Sequence, residues 1–267
     1  MRRDMKTALL RLLSRLGLLL PVFRGWERVR TLGVKTVAVG PDGLPFPTPE
    51  LMIRVAGTVD TGWFIEGGQL AEESIRAALE RAGAPIGSLE AILDFGCGCG
   101  RVLRRWHGLD ARICGSDLSD PAVKWCRAHL PFVEAGVNAL EPPLTYRAAS
   151  FDLVYALSVL THLPVATQLS WRDELGRVLR PGGHLLLTLC GDAYVEKLRG
   201  EERRIYADGE CVVRWAEVAG ANLCSAFHPP AFVRDRLADG WELVEHVPRG
   251  ALGNPVQDLI VLRKPSS

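Results

Sequence analysis

The 267 residues carry 32 Lys and Arg against 31 Asp and Glu, a net charge of +1. That balance excludes the basic footprint of a nucleic-acid-binding chain, and the length suits one α/β domain with an extension. Seven cysteines, an odd number scattered from 97 to 224, read as reduced thiols; no disulfide framework and no metal site are expected, and the expected compartment is the cytoplasm. The charge is nevertheless uneven: residues 1–35 hold nine basic and two acidic side chains, a balance of +7, leaving −6 over the remainder.

Taken in order, Met5 to Phe23 places Leu9, Leu12, Leu13, Leu16 and Leu20 on one side and Arg11, Ser14 and Arg15 on the other, the spacing of an amphipathic helix. Its arginines rule out a signal peptide, and it is too short and too charged to span a bilayer. The expectation is a helix docked on the domain or on a second subunit, giving a homodimer. Peripheral contact of residues 5–23 with an anionic membrane is an alternative, and a mobile cover over a site is a third. Four prolines between Pro41 and Pro49 mark an extended arm, and Leu51 to Val59 reads as strand-like or irregular. Trp63 and Phe64 precede a helix from Gln69 that ends near Gly83 and Pro85. Residues 1–68 therefore read as an extension and 69–267 as the main domain.

Ala91 to Phe95 is a short apolar run entering Gly96-Cys97-Gly98-Cys99-Gly100, the pattern of a buried parallel strand running into a tight turn. Arg101 to His107 reads as the following helix, and Ala111 to Ser116 as a second strand ending on Asp117. This is half of a nucleotide-binding βαβ unit, with a carboxylate placed for ribose hydroxyls. A dinucleotide fingerprint requires G-x-G-x-x-G, whereas the spacing here is G-x-G-x-G with Arg101 in sixth place. Asp94 before the first glycine would repel a diphosphate and welcome an ammonium group. Asp120-Pro121 opens another helix to about His129, and Phe132 to Val137 is a third strand ending at Asn138. Phe151 to Leu157 is the fourth strand, Gln168 to Leu179 a helix stopped by Pro181-Gly182-Gly183, and His184 to Leu189 the fifth. Residues 191–228 read as a polar, irregular insertion. Phe232 to Leu237 reads as a helix, and Trp241 to Val247 with Asp258 to Leu262 as a closing antiparallel hairpin.

Asp94 to Gly100, Gly115-Ser116-Asp117-Leu118-Ser119, Phe151 to Ala156 and Glu174 to Gly183 together resemble the four ordered motifs of the Rossmann-like (class I) S-adenosylmethionine-dependent methyltransferases. The resemblance covers residues 70–190 well and implies a doubly wound, seven-stranded, mostly parallel sheet closed by the C-terminal hairpin. It implies S-adenosylmethionine as cofactor, a nucleoside with a cationic tail and no phosphate. Asp94 would orient the methionine end, Gly96 to Gly98 would give close backbone contact, and Asp117 would accept from the ribose hydroxyls. Asn138 stands where the family usually has an acid for the adenine amino group; its amide oxygen can still accept, and Ala139 would offer an N–H. Phe95, Cys97, Leu118 and Ser158 complete the expected cofactor wall.

Ser158 to His162, beyond the fourth strand, is the segment expected to face both sulfonium and acceptor. It lacks the Asn/Asp-Pro-Pro-Tyr/Phe tetrapeptide of enzymes that methylate amino groups of nucleic-acid bases. His162 is the first candidate base and His228 the second. The expected activity is methylation of a small molecule at oxygen, a sugar or a secondary metabolite. A non-catalytic cofactor-binding scaffold and an aminopropyl-type transferase are the alternatives.

Overall fold

A computed structural model describes residues 9–10, 12–34, 38–253 and 255–266. The centre is one seven-stranded sheet in the order β3-β2-β1-β4-β5-β9-β8. Its strands are β1 (Ala91–Phe95), β2 (Arg112–Asp117), β3 (Val133–Val137), β4 (Phe151–Ala156), β5 (Leu179–Leu189), β8 (Glu242–Ala251) and β9 (Gln257–Arg263). The first five run parallel, β9 is antiparallel to β5, and β8 pairs back onto β9 as the expected hairpin. The chain winds outward from β1 to β3 and then returns to lay β4 beside β1, so a crevice opens between β1 and β4 at the carboxyl ends of the strands.

Successive side chains of the central strands serve two different apolar layers. Ile92, Leu153 and Tyr155 face one core, and Leu93, Phe95, Val154 and Ala156 the other. Because both faces are buried, these strands read as continuous apolar runs rather than alternating ones. Four α-helices are numbered α1 (Leu19–Thr31), α2 (Pro49–Ala56), α3 (Thr61–Arg81) and α4 (Asp120–His129), and a fifth, α5, spans Val165–Val178. Helices α3 and α4 cover the first core, with Phe64, Ile75, Leu79 and Trp125, while Trp171 and Leu175 of α5 fill the second.

The structure corrects several sequence expectations. The leucine-rich helix is not continuous from 5 to 23: among the described residues a first helical stretch ends at 15, Gly17 takes a left-handed φ of 67°, and α1 starts afresh at Leu19. Residues 5–8 lie outside the described residues. Pro21 falls in the first turn of α1, the place where a proline costs no helical bond. Residues 51–59 are not strand-like: Thr48 caps α2, Pro49 opens it and Gly57 ends it in the left-handed region, so punctuation outweighs the β-branched composition. No α-helix follows the glycine turn. Leu103–Trp106 is a single 3₁₀ turn whose i,i+3 spacing puts Leu103 and Trp106 into the same core. The expected boundary at 68/69 falls inside α3, which Asp60 caps and which runs unbroken to Arg81. The insertion after β5 has a small core of its own, Leu198, Tyr206, Val212 and Phe227, around the two-stranded β6 (Val212–Arg214) and β7 (Ser225–Phe227).

The proline-rich arm is fastened by Arg104, which is 2% exposed. Its guanidinium donates to both carboxylate oxygens of Asp42, at 2.6 and 2.7 Å, and to the carbonyls of Leu44 and Pro45. Burial alone would raise the Asp42 pKa, yet the bonds and charge of Arg104 outweigh it and lower it. Arg104→Ala should strip Asp42 of its ion-pair partner and the Pro45 carbonyl of its Arg104 bond, and cost about 3 kcal/mol or more, read as a lowered midpoint in urea denaturation.

Candidate active site

The crevice at the β1–β4 switch opens into a cavity of about 860 Å³, within the size range of cofactor sites. Its floor is the glycine turn. The N–H groups of Gly96 and Cys97 donate to the carbonyl of Ser116, and that of Gly98 to Asp117 Oδ2 at 2.8 Å. Asp117 Oδ1 accepts from Ser119 N–H at 2.7 Å. The carboxylate thus ties the turn after β1 to the turn after β2 and lines the cavity with its remaining acceptor capacity. Gly96 and Gly98 have φ of 79° and 53°; a Cβ on either would stand 2.3 Å from Val159 Cγ2 or 2.2 Å from Val55 Cγ1. Only glycine fits there.

Of the ten residues expected to hold a cofactor, Asp94, Phe95, Gly96, Cys97, Asp117, Leu118, Asn138, Ala139 and Ser158 line the cavity. Gly98 does not, because Val55 of α2 sits over it. Asn138 Oδ1 accepts from Ser116 Oγ at 2.7 Å, which fixes the amide in place. Ser158 holds a left-handed φ of 60°, anchored by its N–H on Thr188 Oγ1 (2.7 Å) and by Gln257 Nε2 on its Oγ (3.0 Å). Thr188 and Gln257, which sequence reasoning missed, sit on β5 and β9 and share a 2.7 Å bond of their own. Strain of this kind persists only where neighbours over-determine it.

The roof is the extension. Leu20, Phe23, Arg24 and Glu27 of α1, Arg54 and Val55 of α2, and Trp63 line the cavity from above. Of the neighbouring aromatics Trp63 and Phe64, Trp63 reaches it and Phe64 is buried against Phe46. Burial raises the Glu27 pKa despite Arg54, Arg24 and Arg30 nearby. Burial also pushes Asp94 up to about 7, against the lowering effects of Tyr155 and the Arg101 charge, with Asp117 adding to the rise. Arg101 donates to the Gly67 carbonyl at 2.6 Å and lies 5.5 Å from the Trp63 ring centre. Its place in the cavity wall was not foreseen from its position beyond the glycines.

The two candidate bases part company. His162 lines the cavity, and its Nδ1 is 2.7 Å from the Cys224 carbonyl, so Nδ1 carries the proton and Nε2 the lone pair. Nε2 has no hydrogen-bond partner among the described residues. Burial lowers the His162 pKa, and the Cys224 contact only partly offsets it, so the ring is neutral near pH 7. His228 lies outside the cavity lining, fully buried, with Nε2 on Gln168 Oε1 at 3.0 Å and Nδ1 unpartnered. Burial drives its pKa down to about 3. It packs beside Phe232, between the insertion and α5. Among the described residues no cluster of His, Cys, Asp and Glu could hold a metal ion.

Residues 93–187 match the family model of the methyltransferase domain. Over those residues the chain resembles a methyltransferase domain. It is 34% identical over 134 residues to 27-O-demethylrifamycin SV methyltransferase of Amycolatopsis mediterranei, covering 47% of this chain and 48% of that protein. It is 33% identical over 122 residues to a ubiquinone biosynthesis O-methyltransferase of Xanthomonas axonopodis, covering 43% and 47%. The chain thus spans about half the length of these curated relatives. The fold is shared with an S-adenosylmethionine-dependent methyltransferase of Mesorhizobium loti, at TM-score 0.53 and 22% identity over 72% of this chain and 98% of that one.

The Asp94 pKa gives a test of this site without ligand. The protonated carboxyl is the form the fold prefers. Its stabilising contribution is fully present below the ordinary 3.8 and lost as pH rises through about 7. Asp94→Asn should therefore gain stability over the parent above pH 7, with the gap closing toward pH 3.8 in thermal melts.

Proposed function

We propose that the chain is an S-adenosylmethionine-dependent O-methyltransferase acting on a small molecule. The cavity residues fit the cofactor. Asp117 keeps lone pairs for two ribose hydroxyls, and Asn138 and Ala139 stand beside it for an adenine edge. Asp94 and Arg101 offer the zwitterionic tail one carboxylate and one guanidinium. When bound, the cofactor supplies an electrophilic methyl on sulfur, and the chain must align the acceptor with it and exclude water.

The observation that carries the oxygen assignment is His162. An alcohol must lose its proton as it attacks, and His162 presents a neutral ring with a free Nε2 from the segment after β4. Both named relatives are O-methyltransferases by name or by the position they modify, which agrees with this reading. The acceptor would lie between His162 and the insertion, whose Tyr194, Lys197, Arg214 and Phe227 line that end of the cavity.

Transfer of labelled methyl from the cofactor into small-molecule extracts tests the activity directly; binding without transfer would favour a scaffold. Asp117→Ala should weaken S-adenosylhomocysteine binding about a hundredfold by calorimetry, since charge-assisted bonds contribute about 1.5–3 kcal/mol each. His162→Ala should lower kcat by about 10²–10⁴ with cofactor affinity nearly unchanged, and the parent kcat/KM should fall only below pH 6.5, where the ring takes up a proton. A loss under about tenfold would remove the base from the mechanism.

A further inference from the structure

Nine of the fourteen exposed large apolar side chains among the described residues lie between Leu9 and Val39. They include Leu9, Leu12 and Leu16, the leucines expected to be docked, which are 54%, 53% and 60% exposed. Along α1 the exposed stripe continues through Leu18, Val22, Trp26 and Val29 at spacings of four, four and three. The other face of the same helix is already occupied: Leu19, Glu27 and Thr31 are buried, and Leu20 and Phe23 line the cavity. The protein covers one side of α1 and leaves the second apolar side to solvent.

The charges beside that stripe are of one sign. Arg15, Arg24, Arg28 and Arg30 are exposed, and the single acid between residues 9 and 34, Glu27, is buried. The Arg30 guanidinium lies 4.7 Å over the Trp26 ring, an aromatic-basic pair of the kind that suits a lipid headgroup region. We propose that this face docks the protein on an anionic lipid surface. A second copy is a poorer occupant, because a two-fold contact would bring Arg15, Arg28 and Arg30 of one copy close to the like-charged arginines of the other. The balance of −6 over residues 36–267 favours one orientation, extension toward the lipid and main domain away. Docking would then set the roof of the cavity at the interface.

Vesicles of phosphatidylcholine with phosphatidylglycerol, compared with phosphatidylcholine alone, test this on the full chain by co-sedimentation. Binding should occur only to the anionic vesicles and weaken as salt screens the arginines. Val22→Asp with Val29→Asp, and separately Arg15→Glu with Arg28→Glu, should each lower the partition coefficient by about tenfold or more. All four side chains are exposed, so neither pair should move the thermal midpoint. The proposal is overturned if the full chain ignores anionic vesicles, or if binding survives both pairs. It is equally overturned if the chain is a dimer that Val22→Asp with Val29→Asp dissociates without any lipid binding to lose. No methyl transfer enters the assay, so its failure is separate from failure of the catalytic reading.

Discussion

The turn between β1 and β2 has to reverse direction in a space where no side chain fits, and most of the site depends on that constraint. A Cβ at Gly96, Gly98 or Gly100 would collide at 2.3, 2.2 and 2.5 Å with Val159, Val55 and Leu130. Those three side chains come from the segment after β4, from α2 in the extension and from the end of α4. The bare backbone is therefore the seat on which the acceptor segment, the roof and one flank all rest. Asp117 accepts from its Gly98 N–H and, through Ser119 N–H, ties it to the turn after β2, so the carboxylate that faces the cavity is also the one that shapes its floor. Binding and fold are coupled at this residue.

The same packing explains the electrostatics. Closing the roof over the turn removes water from Asp94 and Asp117, and for both, burial is the largest cause of a raised pKa. The Asp117 charge adds to the rise at Asp94. Arg101 offsets part of this, but its guanidinium is also drawn away by the Gly67 carbonyl and lies near the Trp63 ring. A cationic ligand would offset the charge of both carboxylates, whereas a phosphate would add to it.

Much of this was legible in the chain because its signals were local. Five strands and their order along the sequence follow from apolar runs ending on glycine, acid or polar residues, and nine of the ten residues named from the motifs line one cavity. What was not legible depended on distant partners. Nothing near Arg104 indicates that its guanidinium crosses to Asp42, since the pairing is made by the arm folding back onto the 3₁₀ turn. Gln257 falls in the loop just before the strand expected from Asp258; only the antiparallel pairing of β9 with β5 brings it to Thr188 and Ser158. His162 and His228 look alike in sequence, each next to an apolar segment. Their environments part them, an open cavity for one and a fully enclosed place beside Gln168 for the other.

The extension, lastly, is held by two very different kinds of contact. The arm is locked by a buried guanidinium with four hydrogen bonds and two aromatic neighbours, Phe46 and Phe64. The roof helices make few polar contacts with the rest: Asn222 Nδ2 on the Arg54 carbonyl at 2.8 Å, and Ser14 Oγ on Glu217. Both of those partners belong to the insertion after β5. The arm is fixed by that buried guanidinium, while α2 is anchored by its apolar side, with Leu51 and Met52 in the core beside the sheet, and reaches the insertion through Asn222. Local opening energies follow buried apolar contact and hydrogen bonding, so separation of α1 and α2 from the insertion costs far less than separation of the arm from Arg104.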